Sequence, residues 1–293
     1  MCLMLGVVIL HSSAHSVVRC VWLGYMMHFC VTGFVFLSGY FGIKFSAKKL
    51  LKLYGVAVCS VLLASTTELI GGEVTTAREW LLSMKEHFMS CWFLHTYAAL
   101  MFVSPLINSA LASKGWEWPL LFLTFGWSYL TSFSFSLSII PSVSGFGSHT
   151  LLTFVGIYAA ARLFVKNNVE TMLNVRTAIV GAVVLFAFGS IGLSKYNSPF
   201  SFALSVCCLI IFKQLFVLSG SISSIILKLS PSVFSIYVLH NSGYNEFLTS
   251  RLGALMINRG FAAWISCIVS AIITYGVCLL VDSARRSAFR LWR

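Results

Sequence analysis

Phe34-Val35-Phe36-Leu37-Ser38-Gly39-Tyr40-Phe41 closes an apolar run over residues 21–43 that contains no Asp, Glu, Lys or Arg, and Lys44, Lys48, Lys49 and Lys52 follow it directly. A helix needs about 20 apolar residues to cross roughly 30 Å of hydrocarbon, and in that layer the backbone must satisfy its own hydrogen bonds. The run is therefore read as a membrane-spanning helix, and the lysines mark the side on which it ends.

The rest of the chain repeats this pattern. Hydrophobic residues make up 58% of the sequence, charged residues 10%, and mean hydropathy is +0.91, outside what the surface of a soluble domain carries. Between charge clusters lie ten candidate spans, at 1–18, 21–43, 53–71, 89–111, 118–137, 149–165, 177–194, 199–219, 232–250 and 261–281. The expected fold is an all-α polytopic membrane bundle of about ten transmembrane helices, one domain over residues 1–293. With both termini cytoplasmic, the inside holds Lys44, Lys48, Lys49, Lys52, Lys114, Arg162, Lys166, Arg176, Lys213, Lys228, Arg285, Arg286, Arg290 and Arg293. That is fourteen of the twenty basic residues, in line with the positive-inside rule. The net charge of +12 is read as topology and as attraction to anionic lipid, since no nucleic-acid-binding pattern is present.

No basic residue precedes the first run and no small-x-small site closes it, so span one is expected to stay in the membrane. The longest outer connection, Gly72 to Phe88, sets Trp80, Leu81, Leu82 and Met84 among charges, the pattern of a short amphipathic surface helix. The nine cysteines show no C-x-x-C spacing, so neither a disulfide framework nor a zinc site is expected.

Ionisable groups inside spans are costly and mark candidate chemistry. His11, His28, His95, His240 and Glu246 fall within spans, and His15 lies near an end. A lone histidine in an apolar span is ordinarily a packed ring bonded to a neighbouring helix. A buried neutral imidazole also suits general-base work on a hydroxyl nucleophile. His11 and His15 share a helix face, but without an acidic or thiolate partner at suitable spacing no metal site is expected. Gly33 and Gly39 leave room for close helix approach, and Ser38 is placed to bond back to its own helix. The strip Lys44, Lys48, Lys49, Lys52 serves either topology alone or the landing of a phosphorylated donor.

In order along the chain come the apolar run ending His11-Ser12, then Phe36-Leu37-Ser38-Gly39-Tyr40-Phe41, Lys48-Lys49-Leu50, Trp92-Phe93-Leu94-His95-Thr96-Tyr97 and Ser104-Pro105-Leu106-Ile107-Asn108. Phe154-Val155-Gly156-Ile157-Tyr158, Tyr196-Asn197-Ser198-Pro199-Phe200 and Phe234-Ser235-Ile236-Tyr237-Val238-Leu239-His240 follow. Over essentially its whole length the chain resembles acyltransferase family 3, the bacterial integral-membrane acyltransferases.

The resemblance implies a ten-span enzyme of the bacterial inner membrane. Such an enzyme moves an acyl group, most often acetyl from acetyl-coenzyme A, onto a hydroxyl of an envelope saccharide or lipid-linked saccharide, with no bound cofactor. The family signature is an arginine, ten intervening residues and a histidine in span one. His11 falls on that histidine, and the arginine position lies one residue before Met1. The expectation is that a few further N-terminal residues supply it; a chain without it would be an inactive remnant.

His11 is thus expected to be the catalytic base, supported by Ser38, Tyr40, Trp92 and Tyr97 as polar-tipped oxyanion donors and by His240 of the late Ile-Tyr-x-x-His pattern. Lys48, Lys49, Lys52, Arg162 and Lys166 are candidate anchors for the donor phosphates. Trp127, Ser128, Tyr129, Thr131, Ser132, Ser134, Ser136 and Ser138 offer an acceptor wall, or else an interfacial belt with self-bonded serines. A transporter or flippase of a lipid-linked saccharide stays open as an alternative. Against it, the five prolines mark span ends rather than paired broken helices.

Overall fold

The computed structural model describes residues 1–15, 20–72, 74–122, 124, 151–190, 198–217, 220–241 and 251–291. Among these residues there are helices and no strand. In chain order they are α1 (Cys2–His15), α2 (Val21–Met27), α3 (Phe29–Phe41), α4 (Ala47–Gly71), α5 (Ala77–Ser90), α6 (Trp92–Ala112) and α7 (Glu117–Leu121). Then follow α8 (Leu151–Lys166), α9 (Val175–Phe188), α10 (Pro199–Val217), α11 (Gly220–Leu229), α12 (Val233–Leu239), α13 (Arg251–Asn258) and α14 (Ala263–Leu291).

Among the described residues, four helical stretches are long and apolar enough to cross a bilayer: Val21–Phe41, Ala47–Gly71, Trp92–Ala112 and Ala263–Ala288. Cys2–Ser13, Val175–Phe188, Pro199–Gln214 and Ile226–Leu239 are shorter apolar helices. The chain is a multi-pass membrane protein. Most of the expected span 118–137 and all residues of the expected acceptor wall lie outside the described residues, as does the run 242–250 with Glu246.

The helices form two compact units. One comprises residues 1–27, 47–91 and 221–293, the other 28–46 and 92–220. In the second unit, packing runs in the order α6, α8, α3, α10, α9, with α7 against α8. Phe36 is fully buried at its centre, edge-on to Phe164 and Phe202 at 5.6 and 5.3 Å between ring centroids. Gly39 is where α3 and α8 come closest: a Cβ there would meet the Tyr158 carbonyl oxygen at 2.6 Å and the Ala161 Cβ at 2.7 Å. One of those atoms is backbone and cannot rotate away. Gly39→Ala is therefore expected to destabilise this unit by about 1–3 kcal/mol, the range for forced overpacking, measured as a lowered melting temperature in detergent. Gly42, at φ +78°, ends α3, its N–H bonding the Gly39 carbonyl at 3.2 Å.

In the first unit the short helix α12 packs against α1, α4 and α14, and Ser235, Ile236, Tyr237, Val238 and Leu239 are all buried. A helix apolar on every side belongs in a core. The amphipathic helix expected between residues 72 and 88 is α5, which packs on α4. Its start carries a capping box, Glu79 N–H to Thr76 Oγ at 3.2 Å and Thr76 N–H to Glu79 Oε2 at 3.1 Å. The Thr75 backbone N–H, with the Thr75 hydroxyl, holds the Glu79 carboxyl below its ordinary value.

Candidate functional site

Helix α1 lies against α2, α12 and α14, and its Val7, Val8, Ile9 and Leu10 are all buried. Ser12 and Ser13 turn their hydroxyls back onto the carbonyls of Val8 and Leu10, at 2.8 and 2.7 Å, and so stay satisfied in an apolar setting. The half-buried ring of His11 faces the ring of His240, with centroids 4.9 Å apart and planes tilted by 51°. His240 is 0% exposed. Its Nδ1 lies 2.8 Å from the Ile236 carbonyl oxygen. A carbonyl only accepts, so Nδ1 carries the proton and Nε2 of the neutral ring carries the lone pair. Nε2 is buried with no hydrogen-bond partner among the described residues. The fold thus brings together, from opposite ends of the sequence, a partly accessible imidazole and a buried one of fixed tautomer.

The other expected support residues fall in the second unit. Ser38 Oγ lies 2.9 Å from the Phe34 carbonyl and 3.1 Å from Tyr97 Oη. Serine has one hydroxyl proton; when it goes to Phe34, Tyr97 must donate to Ser38, and the relay runs Tyr97 to Ser38 to Phe34. Both protons are then engaged within the protein. Tyr40 donates to Glu170, which also holds Lys213, and Lys213 Nζ is 3.2 Å from the Tyr40 oxygen and 5.8 Å from its ring centroid. The Lys213 ammonium, ahead of the Tyr40 hydroxyl, keeps the Glu170 carboxyl below the usual range. Trp92 packs its ring near Phe93 and Phe154.

Among the expected phosphate anchors, Lys48, Lys49 and Lys52 sit exposed in the first turns of α4, in the first unit. Arg162 and Lys166 belong to α8 of the second unit. Arg162 Nη1 reaches the Gly39 carbonyl at 3.4 Å, and Lys166 Nζ reaches the Leu111 carbonyl and Glu117 Oε1, each at 2.8 Å. The Lys166 ammonium is the main cause of the Glu117 carboxyl being pushed down to about 2. A lowered folded value means the link is fully formed above the ordinary value of 4.5 and lost as pH falls toward 2. The melting-temperature difference between wild type and Glu117→Gln is expected to be constant above pH 4.5 and to close toward pH 2. A gap unchanged at pH 2 would show that the carboxylate charge is not its source.

Sequence reading missed three polar groupings, two of which join positions well apart in the chain. Glu170 and Lys213 are one. Asp282, fully buried between Arg285 and Arg286, is the second. The third is at the far end of α4, where Glu68 accepts from Ser83 Oγ at 2.5 Å and lies 2.6 Å from His87 Nε2. Glu68 falls at the outer end of the expected span 53–71, and nothing in the sequence pairs it with His87.

No curated relative and no solved structure matches the chain. A family model described as an acyltransferase domain matches residues 1–282, from Met1 through Asp282 of α14. It therefore contains both halves of the histidine pair, and the chain belongs to acyltransferase family 3.

Proposed function

We propose that this acyltransferase transfers an acyl group, acetyl in the simplest case, from acyl-coenzyme A to a hydroxyl of a cell-envelope or exported polysaccharide. It does so as a ten-span protein of the bacterial cytoplasmic membrane with both termini inside. The observation that carries the reading is the facing pair of His11 and His240. A sugar hydroxyl is a poor nucleophile until its proton is taken during attack. The His11 imidazole accepts that proton as the oxygen attacks the thioester carbonyl. The C–S bond then breaks, and His11 returns the proton to the departing thiolate, giving the ester and free coenzyme A. His240, its tautomer fixed by Ile236, turns a lone-pair edge into the same apolar region and suits the role of orienting His11 and easing its transient charge. The exposed lysines of α4, Lys48, Lys49 and Lys52, suit the donor phosphates by long-range attraction.

The reading is tested with membranes containing the chain, labelled acetyl-coenzyme A and surface polysaccharide extracted from cells lacking the gene. Label in alkali-labile ester on the polysaccharide is the expected result. Translocation of a lipid-linked saccharide without ester formation would replace this reading by the transport one.

A further inference from the structure

We infer that Glu68, His87, Ser83 and Trp80, at the end of α4 opposite its lysines, bind the hydroxyls of the acceptor saccharide. This inference rests on the acyl-transfer reading above. Glu68 stands in the last turn of α4, where an acidic side chain meets the unfavourable end of the helix dipole. Its carboxylate and the His87 ring are each only 18% exposed. Helix stability does not ask for a half-buried carboxylate at that position. The two donors on it, Ser83 and His87, occupy about half of the roughly four acceptor sites of a carboxylate. Ser83 Oγ is also 3.1 Å from Ser65 Oγ, so a hydroxyl-rich rim surrounds the acid.

Trp80, Ser83 and His87 recur at the three- and four-residue spacing that puts them on one face of α5. The Trp80 Nε1 is buried and has no hydrogen-bond partner among the described residues. An unpaired buried N–H is costly, and an indole N–H can only donate. One face of α5 therefore offers an unpaired donor, an imidazole, a hydroxyl and an aromatic plane, and α4 sets a carboxylate with spare lone pairs against Ser83 and His87. A sugar presents hydroxyls that both donate and accept, beside an apolar C–H face, which is the matching chemistry.

The height of the cluster also fits. Ser60 of α4 meets Ser235 of α12 at 3.3 Å. Asn241, the residue after His240, donates to the Ser90 carbonyl at 3.2 Å, and Ser90 in turn donates to the His87 carbonyl at 2.8 Å. Both helices thus rise from the serine contact toward α5. Counting from that contact, His240 lies five residues along α12 and Glu68 eight along α4, or about 7.5 and 12 Å at 1.5 Å per residue. The carboxylate stands about 5 Å beyond the histidine along the helix direction, a step comparable to one sugar ring. Lys48 is twenty residues away on the same helix, about 30 Å, close to the thickness of the hydrocarbon layer. One helix thereby carries donor recognition at one end and acceptor recognition at the other.

The test uses membranes of cells lacking the gene and complemented with wild type, Glu68→Gln, His87→Gln or Trp80→Phe, supplied with labelled acetyl-coenzyme A and the polysaccharide extracted from the uncomplemented cells. Two products are counted, ester on polysaccharide and free acetate from hydrolysis, each normalised to the amount of protein in the membrane. The ratio of ester to acetate is expected to fall at least tenfold for Glu68→Gln and at least threefold for His87→Gln and Trp80→Phe. An unchanged ratio with normal ester would reduce the cluster to a tie between α5 and α4. An unchanged ratio with both products lost would assign it to folding or to the donor side. If Glu68→Gln does not reach the membrane, the other two variants decide by the same criteria. A wild type that forms neither product overturns the acyl-transfer reading itself, and this inference with it.

Discussion

His11→Ala is expected to lower acyl transfer by about 10²–10⁴-fold, the range for loss of a positioned general base, with protein level in the membrane unchanged. The side chain is half-buried with its ring facing His240, so truncation leaves a partly open site and not a closed cavity. The neighbouring hydroxyls of Ser12 and Ser13 bond to the α1 backbone and do not depend on the imidazole. The loss should therefore appear in kcat, with the donor KM within a few-fold of wild type. His240→Gln is expected to have a smaller effect of the same kind, about tenfold in kcat, because it removes the fixed lone-pair edge but keeps a polar side chain. Retention of transfer within twofold in His11→Ala would return the histidine pair to ordinary packing, and a rise in donor KM alone would make His11 a binding residue. The measurement is label transferred from acetyl-coenzyme A to extracted polysaccharide over a range of donor concentrations.

Membrane helices were legible in the sequence because charge is excluded from hydrocarbon whatever the helices pack against. Val21–Phe41, Ala47–Gly71, Trp92–Ala112 and Ala263–Ala288 each contain a long apolar stretch poor in charge, which length and composition alone identify. The back-bond of Ser38 and the close approach at Gly39 were legible for the same local reason, since each needs only its own helix or the absence of a Cβ. Partner choice was not legible. Tyr40 finds Glu170 and Lys213 across 130 and 173 residues, and no spacing rule joins positions so far apart. The same holds for His11 and His240. Their juxtaposition depends on α12 being a fully buried helix against α1, which follows from packing and not from any motif. Glu68 and His87 are 19 residues apart on two helices whose contact is set by the turn between them, so no spacing in the sequence joins the residues that the fold makes one cluster.

The largest effect on stability is expected at Asp282, far from the histidines in role. The residue is 0% exposed on α14, which packs against α12 and the turn Ser230–Ser232. A lone carboxylate in that position would be prohibitively costly. Arg285 at i+3 donates to Oδ1 from Nε and Nη2, at 3.0 and 2.6 Å, and Arg286 at i+4 places Nε 3.0 Å from Oδ2. The three residues share one helix face, and the arginines sit near the C-terminal end, where the dipole favours cations. Asp282→Asn keeps an oxygen for Arg285 but removes the negative charge that both guanidinium groups face. Breaking a buried pair from one side typically costs 3–5 kcal/mol. Both guanidinium groups still reach solvent, at 15% and 25% exposure, so a loss of about 2–3 kcal/mol is expected here. Asp282→Leu combined with Arg285→Met and Arg286→Met should recover to within about 1 kcal/mol of wild type, because an apolar replacement removes the desolvation cost together with the attraction. Thermal unfolding of the purified chain in detergent reads both variants. If the single variant melts with wild type, Asp282 contributes no net stability; if the triple variant melts with the single one, the defect lies in lost packing and not in unpaired charge.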